Sequence, residues 1–382
     1  MSYKMGRRRP AAVYSQEKLV STLFQPMTLR SLTVPNRVWL SPMCMYSAAA
    51  TGPDAASPTD WHLAHLVSRA VGGAGLVMTE ATAVTAEGRI SPFDLGIYND
   101  RQQQAFTRVA AAITAAGAVP AIQLAHAGPK ASTDRPWRGG GTVAVADDGW
   151  TPVGPVAVPF GDHVTPRALD RDEIAGLVGA FARAAERARD AGFQVAEVHG
   201  AHGYLIHSFL SPYTNQRTDD YGGSFANRAR FALEVVEAVR AVWPEELPVL
   251  FRVSATDWLS ENPADPREGW TGDDTVLLAK ELQARGVDLL DVSSGGAAPD
   301  ARIEAAPGFQ VPFATRVRQE AGLPVAAVGL ITEPAQAERI VAEGDADAVL
   351  LARAMLRDPY WPQRAARELG AAVPAPVQYG RA

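Results

Sequence analysis

Polar and apolar positions alternate along the chain in two kinds of block. Short, mostly apolar runs recur, and between them lie longer stretches whose apolar residues fall three or four apart. The short runs predict strands at 37–43, 75–80, 119–126, 193–200, 248–255, 287–294, 324–330 and 346–353. The longer stretches predict helices at 61–73, 101–117, 171–192 and 227–243, and near 272–285, 312–321, 334–343 and 359–369. The strands do not alternate cleanly, as expected where helices cover both faces of a parallel sheet. Eight strand–helix units predict a closed (β/α)8 TIM barrel. A doubly wound open sheet is the alternative, but no glycine fingerprint opens the first unit. Segment 23–37 predicts a short N-terminal hairpin lid closing the bottom of the barrel.

Two excursions break the rhythm. Residues 128–170, rich in Gly, Pro and Asp, follow the third strand, and 256–273 follow the fifth. Both leave a strand's C-terminal end, the rim where barrel enzymes build active sites, so each reads as a cap or lid. Residues 1–18 read as a flexible extension, and 19–382 as one barrel domain ending in a C-terminal arm.

Composition narrows the function classes. The net charge is −6, and no face is basic enough to hold a nucleic-acid backbone. A single cysteine, Cys44, excludes an intramolecular disulfide and a cysteine-ligated iron–sulfur cluster. No apolar run approaches the roughly 20 residues of a membrane helix, and no signal segment is evident. A cytoplasmic protein is expected.

The stretch HGAHGYLIHS (199–208) holds three of the seven histidines together with Tyr204. A helical turn there would aim His199 and His202 one way, with Tyr204 on another side of the same pocket. Three readings stand. The imidazoles are a receptor for developing negative charge on an oxygen, with Tyr204 as proton donor. Alternatively they bind metal with His207 or Glu197, although no HExxH motif is present and Glu197 should point elsewhere. Or they are structural. Arg252, on a buried strand, needs a partner: a barrel carboxylate such as Glu80, or an electron-rich ring or phosphate. The small residues at 293–296, 329–330 and 351–353 suit backbone phosphate binding or simple turns.

NRVWLSPMCMYS, QLAHAGPKAS, VHGAHGYLIHSFLSPYTNQRTDDYGGSFANRARF, DVSSGG, AVGLIT and ARAMLRDPYWP carry a more specific signal. Over residues 23–382 the chain resembles the old yellow enzyme family of FMN-dependent ene-reductases, in its thermophilic-like or xenobiotic-reductase-like bacterial branch. The resemblance implies that Pro42, Met43, Cys44, Ala81, Gln123 and Arg252 line the flavin ring, with Cys44 tuning its potential. It places Gly329, Leu330, Ala352 and Arg353 at the phosphate, with Gly295 and Gly296 on the same side. It assigns the substrate's oxygen to His199 and His202, the α-carbon proton to Tyr204 and a second phenol to Tyr46. In the loop after the fifth strand, Trp258 and Trp270 would either wall the substrate pocket or pack the lid. NADPH or NADH would reduce the flavin, and enones or nitroalkenes would reoxidise it. Arg381 would enter the neighbouring site of a homodimer or homotetramer. One departure is Pro129, which stands where the branch usually has arginine and shifts the loop carrying Lys130.

Overall fold

The computed structural model describes residues 21–379 and 381, so the extension expected at 1–18 lies outside the described residues. Eight strands close a parallel barrel in sequence order. They are β1 Val38–Leu40, β2 Leu76–Ala83, β3 Val119–Ala125, β4 Val195–Gly200, β5 Val249–Ser254, β6 Leu289–Ser293, β7 Val325–Ala327 and β8 Ala348–Leu351. The main helices are α1 Asp60–Val71, α2 Asp100–Ala115, α3 Arg171–Asp190 and α4 Phe225–Val242, followed by α5 Gly272–Ala284, α6 Val311–Ala321, α7 Pro334–Ala342 and α8 Trp361–Glu368. The expected TIM barrel is the observed fold.

Local chemistry explains where the helices begin. Asn99, Asp170 and Thr271 each accept a hydrogen bond from the backbone N–H three residues on, and the side chain at that position reaches back. Each such cap contributes about 1 kcal/mol. β1 stops at Leu40, short of the 37–43 run, because the chain turns out toward the rim and Pro42 has no N–H to extend the ladder.

The core has two parts. One lies between strands and helices, with Phe106, Phe181 and Val235 among its buried members. The other fills the lower barrel with Trp39, Leu76, Met78, Leu250, Leu289 and Leu350. An antiparallel hairpin pairing Met27–Leu29 with Leu32–Val34 adds Met27, Leu29 and Val34 to that lower plug, closing the bottom as expected. The upper interior is instead polar. The excursion after β3 holds short 3-10 turns and a two-residue pairing of Val153–Gly154 with Arg167–Ala168. Among the described residues no helix is long and apolar enough to cross a membrane.

Candidate active site

Strand alternation sets the floor of the site. In the barrel ladder Gln123 lies opposite Glu197, His199 opposite Arg252, and Arg252 opposite Asp291. Gln123 Nε2 donates to Glu197 Oε2 at 2.6 Å. Arg252 Nε lies 3.1 Å from Asp291 Oδ2, but its N–H is poorly aimed, so the contact is a charge pairing without a directed hydrogen bond. The carboxylate partner of Arg252 is therefore Asp291 and not Glu80. Glu80 accepts from the Met45 N–H and sits 3.5 Å from His62 Nε2. Burial raises Asp291 to about 6. Burial, then the Asp291 charge, raises Glu197 to about 8. At neutral pH one carboxylate balances Arg252 while Glu197 keeps its proton.

Above this floor β4 ends and the chain kinks. His202 has φ +62° and Gly203 φ +73°, and the next helix begins only at Leu205. The expected helical turn is thus a left-handed kink, and the kink gathers the rings. His199 lies 5.2 Å from His202 and 5.2 Å from Tyr204, centroid to centroid, with near-perpendicular planes. The Ala201 N–H approaches His199 Nδ1 at 3.3 Å, which leaves Nε2–H free to donate. His202 Nε2 lies 2.7 Å from Ser293 Oγ, whose other partner, Gln310 Oε1, is 3.4 Å away. The hydroxyl proton belongs in the shorter bond, leaving Nδ1–H exposed on the far side of the ring. Burial, followed by the Arg252 charge, holds both imidazoles well below their ordinary pKa, so they are neutral donors. Burial pushes the Tyr204 phenol well above 10, so it keeps its proton.

The further ligands that a metal reading would need are engaged elsewhere: Glu197 accepts from Gln123. His207 turns away to lie 3.0 Å from Asp257 and accepts the Gly203 N–H on Nδ1. Among the described residues no group of three or more His, Cys, Asp or Glu could hold a metal ion.

At the far rim, Gly329, Leu330, Ala352 and Arg353 line a cavity of about 250 Å³. Gly329 has φ +117°, and a Cβ there would meet Gln310 Nε2 at 2.7 Å, so only glycine suits the turn. A buried guanidinium whose Nε–H has no directed partner at one end, its Nη1 reaching only Ser41 Oγ at 3.5 Å, and a glycine-shaped cradle at the other fit a flat cofactor bearing a phosphate. Residues 22–371 match the NADH:flavin oxidoreductase / NADH oxidase family. The chain belongs to that family.

Its relatives agree. An NADPH dehydrogenase of Geobacillus sp. (strain WCH70) is 46% identical over 360 residues, 94% of this chain and 98% of that protein. One of Listeria innocua serovar 6a is 44% identical over 364 residues, 95% and 99%. Morphinone reductase in complex with tetrahydroNAD matches with TM-score 0.73 and 32% identity, over 93% of this chain and 92% of that one. The old yellow enzyme homologue of Zymomonas mobilis gives TM-score 0.73 at 25% identity, over 93% and 95%. This old yellow enzyme family member is an FMN-dependent, nicotinamide-using oxidoreductase.

The other nominated residues lie on segments outside the barrel strands, apart from Ala81 on β2. Cys44 is half-buried and packs with Tyr204 against the cluster containing Ala81; burial, then Asp94 and Glu80, pushes its thiol up, so it is no thiolate nucleophile. Pro42 and Met43 are also half-buried on the segment leaving β1. Tyr46 (φ +51°) meets Trp137 edge-on at 5.7 Å. Trp258 stacks on Phe309 at 6.2 Å, and its ring would lie 3.3 Å from a Cβ at Gly295, so it stands beside the loop after β6. Trp270 is fully buried and stacks on Phe225, as core rather than wall. Arg381 is exposed, just past Tyr379, whose hydroxyl meets that of Tyr360 at 3.2 Å. Sequence reasoning missed the anchors of His202. Ser254 Oγ accepts its N–H at 2.9 Å, and Ser293 holds its ring. Their only signal was a serine at the end of each of the next two strands, β5 and β6.

Proposed function

We propose that this enzyme reduces the activated C=C bond of α,β-unsaturated carbonyl, imide or nitro compounds with NADPH. The carrying observation is two neutral imidazoles, His199 and His202, packed with a protonated Tyr204 on one kinked turn. Pro42, Met43, Cys44, Ala81, Gln123 and Arg252 would flank the FMN ring. Gly329, Leu330, Ala352 and Arg353 would hold its phosphate, with Gly295 and Gly296 beside it. FMN, when bound, supplies hydride transfer in two halves, from NADPH to N5 and from N5 to the substrate's β-carbon. The relatives named NADPH dehydrogenase support that reductant.

The chain's own groups do the rest. His199 Nε2–H and His202 Nδ1–H donate to the carbonyl or nitro oxygen and draw charge from the double bond. Being neutral, they stabilise the developing anion without surrendering a proton to it. Tyr204, kept protonated by burial, delivers its proton to the α-carbon. Tyr46 and Trp258 border the substrate, and Arg381 reaches the site of a second copy in a homodimer or homotetramer. Anaerobic stopped-flow tests the reading: NADPH should bleach the bound flavin, and cyclohexenone should restore its colour. A folded protein that stays colourless in excess FMN, or a reduced flavin that no enone or nitroalkene reoxidises, overturns it. Unchanged substrate binding in Arg381→Ala removes the arm from the account.

A further inference from the structure

Lys130 follows Pro129 in the turn after β3, and its ammonium does not face open solvent. Its Nζ donates to the backbone carbonyl of His202 at 2.8 Å and to that of Gly296, and lies 3.8 Å from the centre of the Phe160 ring. The turn after β4 and the loop after β6 touch here: a Cβ on Gly203 would sit 2.1 Å from Gly296 O and 3.0 Å from Lys130 Cε. Two carbonyl oxygens therefore converge on one point between two loops. Without a cation both would be left partly buried and unmatched.

This contact completes the hold on His202, whose left-handed backbone is costly for a residue with a side chain. Its N–H is taken by Ser254, its ring Nε2 by Ser293 and its C=O by Lys130, which leaves Nδ1 as its one uncommitted polar group. We infer that Lys130 is a positioning residue: by clamping the carbonyls of His202 and Gly296 it fixes the left-handed kink and so aims His202 Nδ1 at the substrate's oxygen. Burial draws the Lys130 ammonium down to about 7, so it is held at a desolvation cost. The two carbonyls and the π-face of Phe160 offset that cost. After Pro129, Lys130 is engaged with the backbone carbonyls of His202 and Gly296.

The inference rests on the oxyanion role given to His202, and the test separates the two. Flavin-loaded Lys130→Met and Lys130→Arg are titrated with a para-substituted phenol, whose phenolate gives a long-wavelength band on stacking against oxidised flavin. Melting temperature and FMN content are the controls for folding. Lys130→Met is expected to weaken phenol binding by at least about tenfold, the scale of a lost charged hydrogen bond, and to raise KM for cyclohexenone more than it lowers kcat. Lys130→Arg is expected to restore part of the affinity. Phenol affinity within twofold of wild type in a folded, flavin-loaded Lys130→Met overturns the clamp while leaving the proposed reaction standing. If Lys130→Met does not fold, Lys130→Gln, which keeps amide donors at shorter reach, is read by the same criteria.

Discussion

Glu197 offers a test of the barrel floor in which the sign itself is informative. Its pKa of about 8 in the folded protein stands above the ordinary 4.5, because burial and then Asp291 disfavour its charge. The folded state therefore holds a proton that the unfolded chain releases. That stability is fully present below 4.5 and is lost progressively as pH rises toward 8. At about 1.4 kcal/mol per pH unit, the 2.5 units between 4.5 and pH 7 mean that protonating Glu197 at pH 7 costs roughly 3–4 kcal/mol. Glu197→Gln has the same shape and needs no proton. It should stabilise by no more than about 1 kcal/mol around pH 5 and by roughly 3–4 kcal/mol at pH 7, with a difference that widens to pH 8. Equilibrium urea unfolding at saturating FMN measures this. The second arm removes Asp291. Arg252 cannot neutralise itself, and a buried guanidinium left without its carboxylate costs about 3–5 kcal/mol. In Asp291→Asn, however, the charge that adds to burial in raising Glu197 is gone, and Glu197 can ionise as the replacement counter-ion to Arg252. The single variant should then cost less than that range. Adding Glu197→Gln to it should be destabilising, the reverse of its effect in the wild type. The same sign in both backgrounds, or a Glu197→Gln effect that does not change with pH, refutes this charge assignment.

Tyr204→Phe should slow alkene reduction roughly 100-fold or more while sparing flavin reduction by NADPH; equal loss in both half-reactions, followed by stopped-flow, counts against the proton-donor role. Ser293→Ala removes the hydroxyl that sets the His202 tautomer and should weaken phenol binding by about 1 kcal/mol, read from the same long-wavelength titration; unchanged affinity means that Ser293 does not set it. His199 and His202 titrate well below 6.5 and Tyr204 well above 10. None of the three should therefore contribute a limb to the pH profile of single-turnover enone reduction between 6.5 and 10, and a limb that vanishes on replacing His199 would contradict this.

The eight units were legible because every barrel strand is covered on both faces, so apolar runs mark strands and amphipathic stretches mark helices. Strand ends were less so. β7 stops at Ala327 although the apolar run continues to Leu330, because Gly329 and Leu330 turn out to shape the cradle. Arg252 visibly needed a carboxylate, but which one depends on register. Asp291 lies directly opposite on β6, whereas Glu80 is on β2, three strands away around the barrel. The histidine pair was legible as a cluster and misjudged as conformation, since nothing local distinguishes a helical turn from a left-handed kink there. The roles of Lys130, Ser254 and Ser293 depend on contacts between loops from different strands, which no spacing along the chain reveals.

Strain ties these observations to the reaction. Among the described residues, eight other than glycine have positive φ, and Tyr46, His202, Trp258 and Leu330 are four of them. They leave β1, β4, β5 and β7 respectively, yet all lie on the one rim. Each such conformation costs on the order of 1–3 kcal/mol and persists only where its surroundings over-determine it. At His202 the surroundings are Ser254, Ser293 and Lys130. At Trp258 they are the Thr256 hydroxyl on its N–H and the rings of Phe309 and Phe313. At Tyr46 Trp137 packs on the ring. A relaxed helical turn after β4 would carry His202 away from His199 and leave one donor where the proposed reaction uses two. The strained kink is held from three sides; in the proposed reaction it would place both N–H groups before any substrate arrives, and that prior placement would make them worth more than water to a developing anion.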